Sequence, residues 1–452
     1  KGGRGIPELT DFVGEPMLKM DVNGMNDLDF FNNPMGVILD AEELFANAFN
    51  AEKAFFLING TTSGIQAMIM SSCNPGDEII LPRNAHKSAI SGIILSGAVP
   101  IYVEPEINNE LGIANGVSVE KMKEAIETHT NAKAIFLINP TYYGFTSDVR
   151  TIAKLAHKHN MLVLVDEAHG AHMYFHEDFP STAMEQGADM CAISMHKTGG
   201  SLTQSSALLI GSNRISAEKV KKILELIFTS SASYLLLCSL DIARKHMAIK
   251  GNELLQKTLD LVRWARSEIN RIEGIYSFGK ELVGSPGCFD FDETKLGVNV
   301  RRLGFTGYEI EALLRKRYNI QVELADLNNI LAIVSIGDRE EDLKLLANSL
   351  RDIALNCDIN EYNGINSIPN YSKTIVSPRE AFYLEKEFIM LSKSVGRTAG
   401  EMVMAYPPGI PVICTGEIIT KEIIDYINIL KNEKCELQGT ADPLVNFIQV
   451  LI

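Results

Sequence analysis

Residues 132–172 read AKAIFLINPTYYGFTSDVRTIAKLAHKHNMLVLVDEAHGAH. An apolar run (132–139) precedes a segment with helical spacing, VRTIAKLAHKHN, and a second apolar run, MLVLV (161–165), follows it. Neither run alternates apolar with polar residues, so each predicts a strand covered on both faces. Two such strands joined by a helix-length crossover predict a parallel βαβ unit.

The same alternation extends from about residue 54 to residue 210. AFFLI (54–58), EIILP (78–82), VPIYV (99–103), DMCAIS (189–194) and SALLI (206–210) read as further strands, separated by helical segments such as VSVEKMKEAIETH. The expectation is an α/β domain with a mainly parallel, doubly wound sheet covered by helices on both faces. Ligands bind such sheets outside the carboxyl ends of the strands. The polar tips NGTTSG (59–64), RNAHKS (83–88), NPTYYG (139–144), DEAHGAH (166–172) and MHKTGGS (195–201) should therefore converge on the chemistry. Long helical patterns fill 212–275 around the single Trp264. LGVNVRR, YEIEALLRKRY and NILAIVSIGD predict a small α/β unit over about 290–355. The polar stretch CDINEYNGINSIPNYSKTIVSPRE reads as a linker before a last segment. The expected division is 1–288, 289–370 and 371–452.

At 452 residues, 46% hydrophobic and 22% charged, the chain can bury a large core. A formal net charge of −15 argues against nucleic acid or an anionic membrane as the main partner, since both select basic surfaces. Seven dispersed cysteines form no CxxC or zinc spacing, which reads as reduced thiols and points to the cytoplasm. No apolar run approaches the roughly 18–20 residues a membrane span requires.

Two motifs fail on their own requirements. DEAH (166–169) suggests a helicase, but that reading needs a GxxxxGK[ST] phosphate loop, which the chain does not contain. His169, His172 and His176 lack HExxH spacing and have no cysteine pair beside them, so no metal site is expected.

Lys197 is placed differently. In AISMHKTGGSLTQSSALLI (192–210) its only ionisable neighbour is His196, and the segment runs into an apolar strand. A lysine at a strand end is usually a surface residue with its stem laid on apolar neighbours. Here it joins Asp166 and a histidine at two other tips. At a fourth tip, NGTTSG opens a helix whose amides and Thr61, Thr62 and Ser63 hydroxyls suit a phosphate, or serve only as a cap. Together these parts meet the needs of pyridoxal 5′-phosphate. That cofactor requires a desolvated amine to form a Schiff base, a carboxylate facing the pyridine nitrogen and an anchor for the phosphate.

SMHKTGGSLTQSS resembles the cofactor-attachment motif of the bacterial ornithine/lysine/arginine decarboxylase family, S-x-H-K followed by Q-[ST]-[ST]. RNAHKS, INPTYYG, VDEAHGAH, LGFTGYEIEALL (303–314), VELADLNNIL (322–331) and AYPPGIPVICTGEIIT (405–420) are similar to its other blocks, in family order. The resemblance covers nearly the whole chain. It implies the fold type I framework of pyridoxal-phosphate enzymes, with Lys197 bonding the cofactor and Asp166 facing its ring nitrogen. His86 would stack on one ring face and Ala168 pack on the other. Thr61, Thr62, Ser63, Ser194 and His196 match the phosphate side. His169 would lie near the ring hydroxyl or the substrate carboxylate, and either it or Lys197 would return a proton to Cα.

The family also implies a homodimer with shared active sites, alone or assembled further. TSSASY (229–234) resembles the family's T-S-P-S-Y segment without its proline, so Thr229 or Ser230 would reach the partner's phosphate. KGG at the start stands where the family has Gly-His-Lys, and no flavodoxin-like wing is expected. The nearest likeness is thus to the compact biosynthetic arginine decarboxylases. The implied reaction is decarboxylation of a basic amino acid, arginine to agmatine, within polyamine biosynthesis. Lysine or ornithine is the alternative substrate, while aminotransfer and non-catalytic cofactor binding are the rival functions. Arg83 is the one arginine in these motifs that could clamp an α-keto acid. Glu15, Asp27, Asp29 and Glu417 are the candidate acids for the substrate's distal cation.

Overall fold

A computed structural model describes residues 3–25, 28–357, 372–406 and 410–452. Seven strands form its central sheet: β1 (Lys53–Leu57), β2 (Glu78–Pro82), β3 (Val99–Val103), β4 (Ala134–Ile138), β5 (Leu162–Glu167), β6 (Met190–Ile193) and β7 (Ser206–Ile210). Their spatial order is β1-β7-β6-β5-β4-β2-β3. The pairs from β6 through to β3 are parallel, whereas β7 runs antiparallel to both β1 and β6. That reversal matters for the site. It brings the start of β7 to the carboxyl edge of the sheet, with Ser206 opposite Leu57.

Successive side chains of a strand point to opposite faces. Ile135, Leu137, Val163 and Val165 enter a core with the helices Val37–Ala48, Val119–Thr128, Val149–Lys158 and the first part of Tyr234–Ile269. Their neighbours Phe136 and Leu164 enter a second core with Gly60–Ser72, Lys87–Ser96 and Ala217–Ile227. Both faces are covered, which is why these strands read as unbroken apolar runs. Each fully buried Leu, Ile or Phe contributes roughly 1.5–3 kcal/mol of transfer free energy.

The 36-residue helix Tyr234–Ile269 leaves this domain at its far end. Val262, Ala265 and Ile269 pack in a different core, and half-buried Trp264 lies against it. That core lies under a four-stranded sheet ordered Tyr276–Ser277, Lys295–Asn299, Asn329–Ile333 and Leu324–Ala325, with all neighbours antiparallel. Helices Gly307–Tyr318 and Glu340–Leu355 complete it. The first starts in a capping box, Thr306 receiving the Glu309 amide while the Glu309 side chain receives that of Thr306.

Of the expected linker, 358–371 lie outside the described residues. Beyond it, Val403, Ile413, Ile423, Ile427 and Ile448 build a last core. This unit is joined to the first by a buried ion pair. Arg83, at the tip of β2, donates from Nε and Nη2 to Glu417 at 2.8 and 2.7 Å, and from Nη1 to the Pro411 carbonyl at 3.0 Å. No helix among the described residues is long and apolar enough to cross a membrane.

Candidate active site

The carboxyl-edge tips surround one cavity of about 700 Å³, within the range of small-molecule sites. Gly60, Thr61, Thr62, His86, Asp166, Ala168, His169, Ser194, His196 and Lys197 all line it. The 322–331 segment and strand residues Ile410, Pro411 and Val412 of the last unit close other walls.

Lys197 follows β6 in the short helix Met195–Thr198. Its Nζ lies 2.9 Å from His169 Nε2 and 5.6 Å from the Tyr142 ring centroid, and the Tyr142 and His169 rings meet at 4.4 Å. Burial lowers the pKa of this amine, while the carboxylates of Asp166 and Glu323 oppose the shift. The result is an amine more readily deprotonated, as a nucleophilic lysine requires. Asp166, at the end of β5, is shifted the other way: burial raises its pKa, and Lys197 and the Ala168 amide oppose the rise. That amide donates to Asp166 Oδ1 at 3.1 Å.

Both histidines beside Lys197 are kept neutral. Burial, then the Lys197 and Lys295 charges, holds His169 well below its ordinary value. Burial with Lys197 brings His86 down to about 4. His86 also caps the helix Lys87–Ser96, its Nδ1 accepting from the Ser88 amide at 3.2 Å. That bond sets the tautomer and the ring's direction.

At another side of the cavity stands the start of helix Gly60–Ser72. Asn59 gives it no side-chain cap, so Asn59's side chain does not occupy the first amides. Gly60 has φ +69°, and no atom lies within 4 Å of where a Cβ would stand. Thr61 Oγ1 bonds Ser194 Oγ and donates to Ser206 Oγ at 3.0 Å, a hydroxyl cluster drawn from the helix, the β6 tip and the reversed strand β7. His196 Nδ1 lies 3.0 Å from the Ser205 carbonyl. The Gly60 amide donates to the Gln204 carbonyl at 2.9 Å; the hydroxyls and the helix-start amides that follow it suit an oxyanion. A buried carboxylate and a desolvated lysine face the same cavity. These donors fit pyridoxal 5′-phosphate: the helix start and hydroxyls would hold its phosphate, and Asp166 and Lys197 would hold its ring nitrogen and aldehyde.

Some expected residues stand elsewhere. Ser63 does not line the cavity, and its hydroxyl donates back to the Gly60 carbonyl at 2.9 Å. Thr229 and Ser230 are exposed and lie outside their own chain's cavity. Glu417 is not available to a substrate cation, because both of its oxygens receive Arg83 and one also receives the Cys414 amide at 2.7 Å. The same pairing removes Arg83 as a clamp for a keto acid. Glu15 is exposed and paired with Lys19, and Asp29 accepts the amides of Phe30, Met35, Gly36 and Ile38. Asp27 lies outside the described residues. His172 turns to Asp292 and His176 to Gln256, so the three histidines share no centre with His169.

Besides Asp166, two acids line the cavity that sequence reasoning passed over, Glu323 and Asp326. Asp326 is occupied by the Tyr143 hydroxyl and by the Asn328 and Asn329 amides, both at 2.8 Å. Glu323 is solvent-exposed and close enough to Lys197 to act on its charge. Their signal was two acids three residues apart inside the otherwise apolar VELADLNNIL.

Comparison with known proteins shows the family. Residues 6–342 match the family model "Orn/Lys/Arg decarboxylase, major domain", and 369–442 match its C-terminal domain. The chain is similar to arginine decarboxylase of Bacillus subtilis, 44% identical over all of this chain and 93% of that one. It superposes on lysine decarboxylase A of Pseudomonas aeruginosa with TM-score 0.85 at 20% identity, covering 100% of this chain and 77% of the other. An alanine–glyoxylate aminotransferase from Nostoc shares the framework more distantly, with TM-score 0.58 at 17% identity over 75% and 91% of the two chains. With both family domains matched in order around a site fitted to pyridoxal 5′-phosphate, the chain belongs to the Orn/Lys/Arg decarboxylase family on the fold type I framework.

Proposed function

We propose that this protein decarboxylates L-arginine to agmatine and carbon dioxide. The observation that carries the reading is 44% identity to an arginine decarboxylase over the whole chain. Lys197, Asp166 and His86 around one cavity support it.

Pyridoxal 5′-phosphate, when bound, supplies a conjugated pyridinium that takes up the electron pair left as the Cα–carboxylate bond breaks. The chain's residues do the rest. Lys197 Nζ, its pKa lowered, is the amine that holds the cofactor and is exchanged for the substrate amine. Asp166 holds the proton on the ring nitrogen and balances its charge. His86 and Ala168 orient the ring from its two faces. The helix start at Gly60, the hydroxyls of Thr61, Thr62 and Ser194, and His196 hold the phosphate. Apolar walls at Ile138, Leu324 and Leu327 exclude water from the carboxylate that is lost. The 2.9 Å contact between Lys197 Nζ and His169 Nε2 is a path along which a proton moves. Lys197 is the donor to Cα, and neutral His169 accepts at Nε2 from its ammonium, holding that amine in place. Glu323 meets the substrate's distal guanidinium.

The reading extends to a homodimer. The exposed Thr229 and Ser230, and exposed apolar side chains at Phe12, Met35, Val37 and Leu226, support a partner subunit that covers them. It extends also to cytoplasmic polyamine biosynthesis, the setting in which agmatine is made. The reading keeps a division at 288 and 370, although the end of helix Tyr234–Ile269 packs in the core under the four-stranded sheet.

The test is product analysis by mass spectrometry. Protein loaded with pyridoxal 5′-phosphate is incubated separately with arginine, lysine and ornithine, with no keto acid present. Agmatine as the main product is expected, and Lys197→Ala should abolish it. Cadaverine or putrescine would keep the reaction and overturn the substrate. Turnover only with a keto acid would overturn the reaction.

A further inference from the structure

His169 has a second attachment, through its backbone. Its carbonyl accepts from Lys295 Nζ at 3.3 Å, and Lys295 is wholly buried at the start of strand Lys295–Asn299. The same ammonium donates to Asp292 Oδ2 at 2.8 Å, and Thr294 Oγ1 is 3.4 Å from it. Asp292 is also wholly buried. Its Oδ2 lies 3.1 Å from His172 Nε2, and its Oδ1 accepts the Thr294 amide and hydroxyl at 3.0 and 2.6 Å. Burial would raise the Asp292 carboxyl, but Lys295 and His172 outweigh it and hold it far below the carboxylate range.

The 290–295 segment grips the other side of the site as well. Asp290 and Phe291 pair with Thr146 and Phe145, and the Asp292 amide donates to the Gly144 carbonyl at 2.9 Å. Gly144 has φ +94°, and a Cβ there would stand 2.9 Å from Lys295 Cγ, so the loop carrying Tyr142 presses directly on the Lys295 stem. Tyr142 and His169 are the two rings beside Lys197 Nζ. One ion pair thus ties together both loops that flank the reactive amine.

Such a pair is a poor choice for stability alone. Taking an ammonium and a carboxylate fully out of water costs more than their attraction usually returns, and apolar residues of similar volume often serve as well. A lysine kept in that position is better accounted for by the carbonyl it holds. We propose that Lys295, charge-balanced by Asp292 and oriented through it by His172, is a positioning residue of the site. It fixes the His169 loop, and thereby the contact between His169 Nε2 and Lys197 Nζ. This rests on the decarboxylase reading for its kinetic consequence, but not for its structural one.

The experiment compares wild type, Lys295→Met and the double variant Lys295→Met/Asp292→Leu, which removes both charges. Three quantities are read: thermal midpoint, kcat and KM for arginine, and amide hydrogen exchange of 166–173 in the cofactor-free protein. Lys295→Met should lower kcat about 10- to 100-fold with KM within about threefold, the scale of a small misplacement at a site, and exchange in 166–173 should rise. The double variant should regain the thermal midpoint while kcat stays low and exchange fast. That variant also keeps the test open should the single one fail to fold. Recovery of kcat and protection together in the double variant would make the pair merely structural and overturn the proposal, as would wild-type kcat in Lys295→Met. If wild-type protein forms no amine from any substrate, the functional reading fails. Hydrogen exchange then still decides whether Lys295 holds the His169 loop.

Discussion

Lys197 and Asp166 are shifted in opposite directions by the same burial, and each opposes the other's shift. A charge brought into the cavity therefore changes both, which is what a site for a cationic ring should do. Glu323 differs because it keeps its contact with water. An exposed carboxylate at a cavity wall meets a guanidinium with little desolvation cost, and a charged hydrogen bond of that kind contributes about 1.5–3 kcal/mol. Glu323→Gln should accordingly raise KM for arginine roughly 10- to 100-fold with a smaller change in kcat. Steady-state kinetics of agmatine release checks this, and an unchanged KM would remove Glu323 from the substrate's path.

Among the elements, the tip of β2 and the strand Ile410–Ile413 depend on one another through Arg83 and Glu417, whose side chains are 1% and 0% exposed. Arg83→Met would leave Glu417 buried without its main counter-charge, at a cost of about 3–5 kcal/mol. Arg83→Met/Glu417→Met should recover most of that loss in urea denaturation. Because Pro411 lines the cavity and receives Arg83, the single variant should also weaken arginine binding. A second buried acid predicts a pH effect. Glu42, in helix Val37–Ala48, accepts the Phe56 amide at 2.9 Å, and burial, opposed by that amide and by Lys53, raises its pKa to about 7. The folded protein thus keeps a proton up to about pH 7 that the unfolded chain releases near 4.5. Its contribution is complete below the lower value and is lost as pH rises through the upper one. Glu42→Gln, which cannot ionise, should gain about 3 kcal/mol on wild type between pH 4.5 and pH 8. A pH-independent difference in denaturation midpoints would show that Glu42 ionises normally.

For the whole molecule, the dimer proposal makes a prediction that a monomer cannot satisfy. If the site of one subunit takes Ser230 from its partner, Lys197→Ala and Ser230→Glu break different halves of it. Mixing the two inactive proteins after dissociation should restore about a quarter of wild-type activity, because half of the random dimers regain one intact site of two. No recovery would mean that each chain builds its site alone. At this scale the sequence was informative about the central sheet. Runs such as AIFLI and LVLV are apolar at successive positions because alternate residues enter two different cores. The tips that follow them were legible for the same reason, since a polar stretch after a doubly buried strand has only the sheet edge to occupy. Other assignments could not be made that way. Glu417 sits in a motif block and reads like a ligand-binding acid, yet its partner is Arg83, 334 residues away. Lys295 and Asp292, in FDETKLG, are charged in type yet wholly buried.

By itself, then, the sequence determined the strands and helices, the edge at which chemistry occurs, and the cofactor suited to a lysine, an aspartate and a glycine-rich helix start. All of these follow from local periodicity and short motifs, which the chain carries wherever it goes. Only the tertiary structure decided that β7 runs antiparallel and brings Ser206 to Thr61, that Glu323 rather than Glu417 faces the cavity, and that a buried lysine stands behind His169. Which charge meets water, which meets a ligand and which meets an opposite charge depends on long-range contacts. Residue type alone is the same in all three cases.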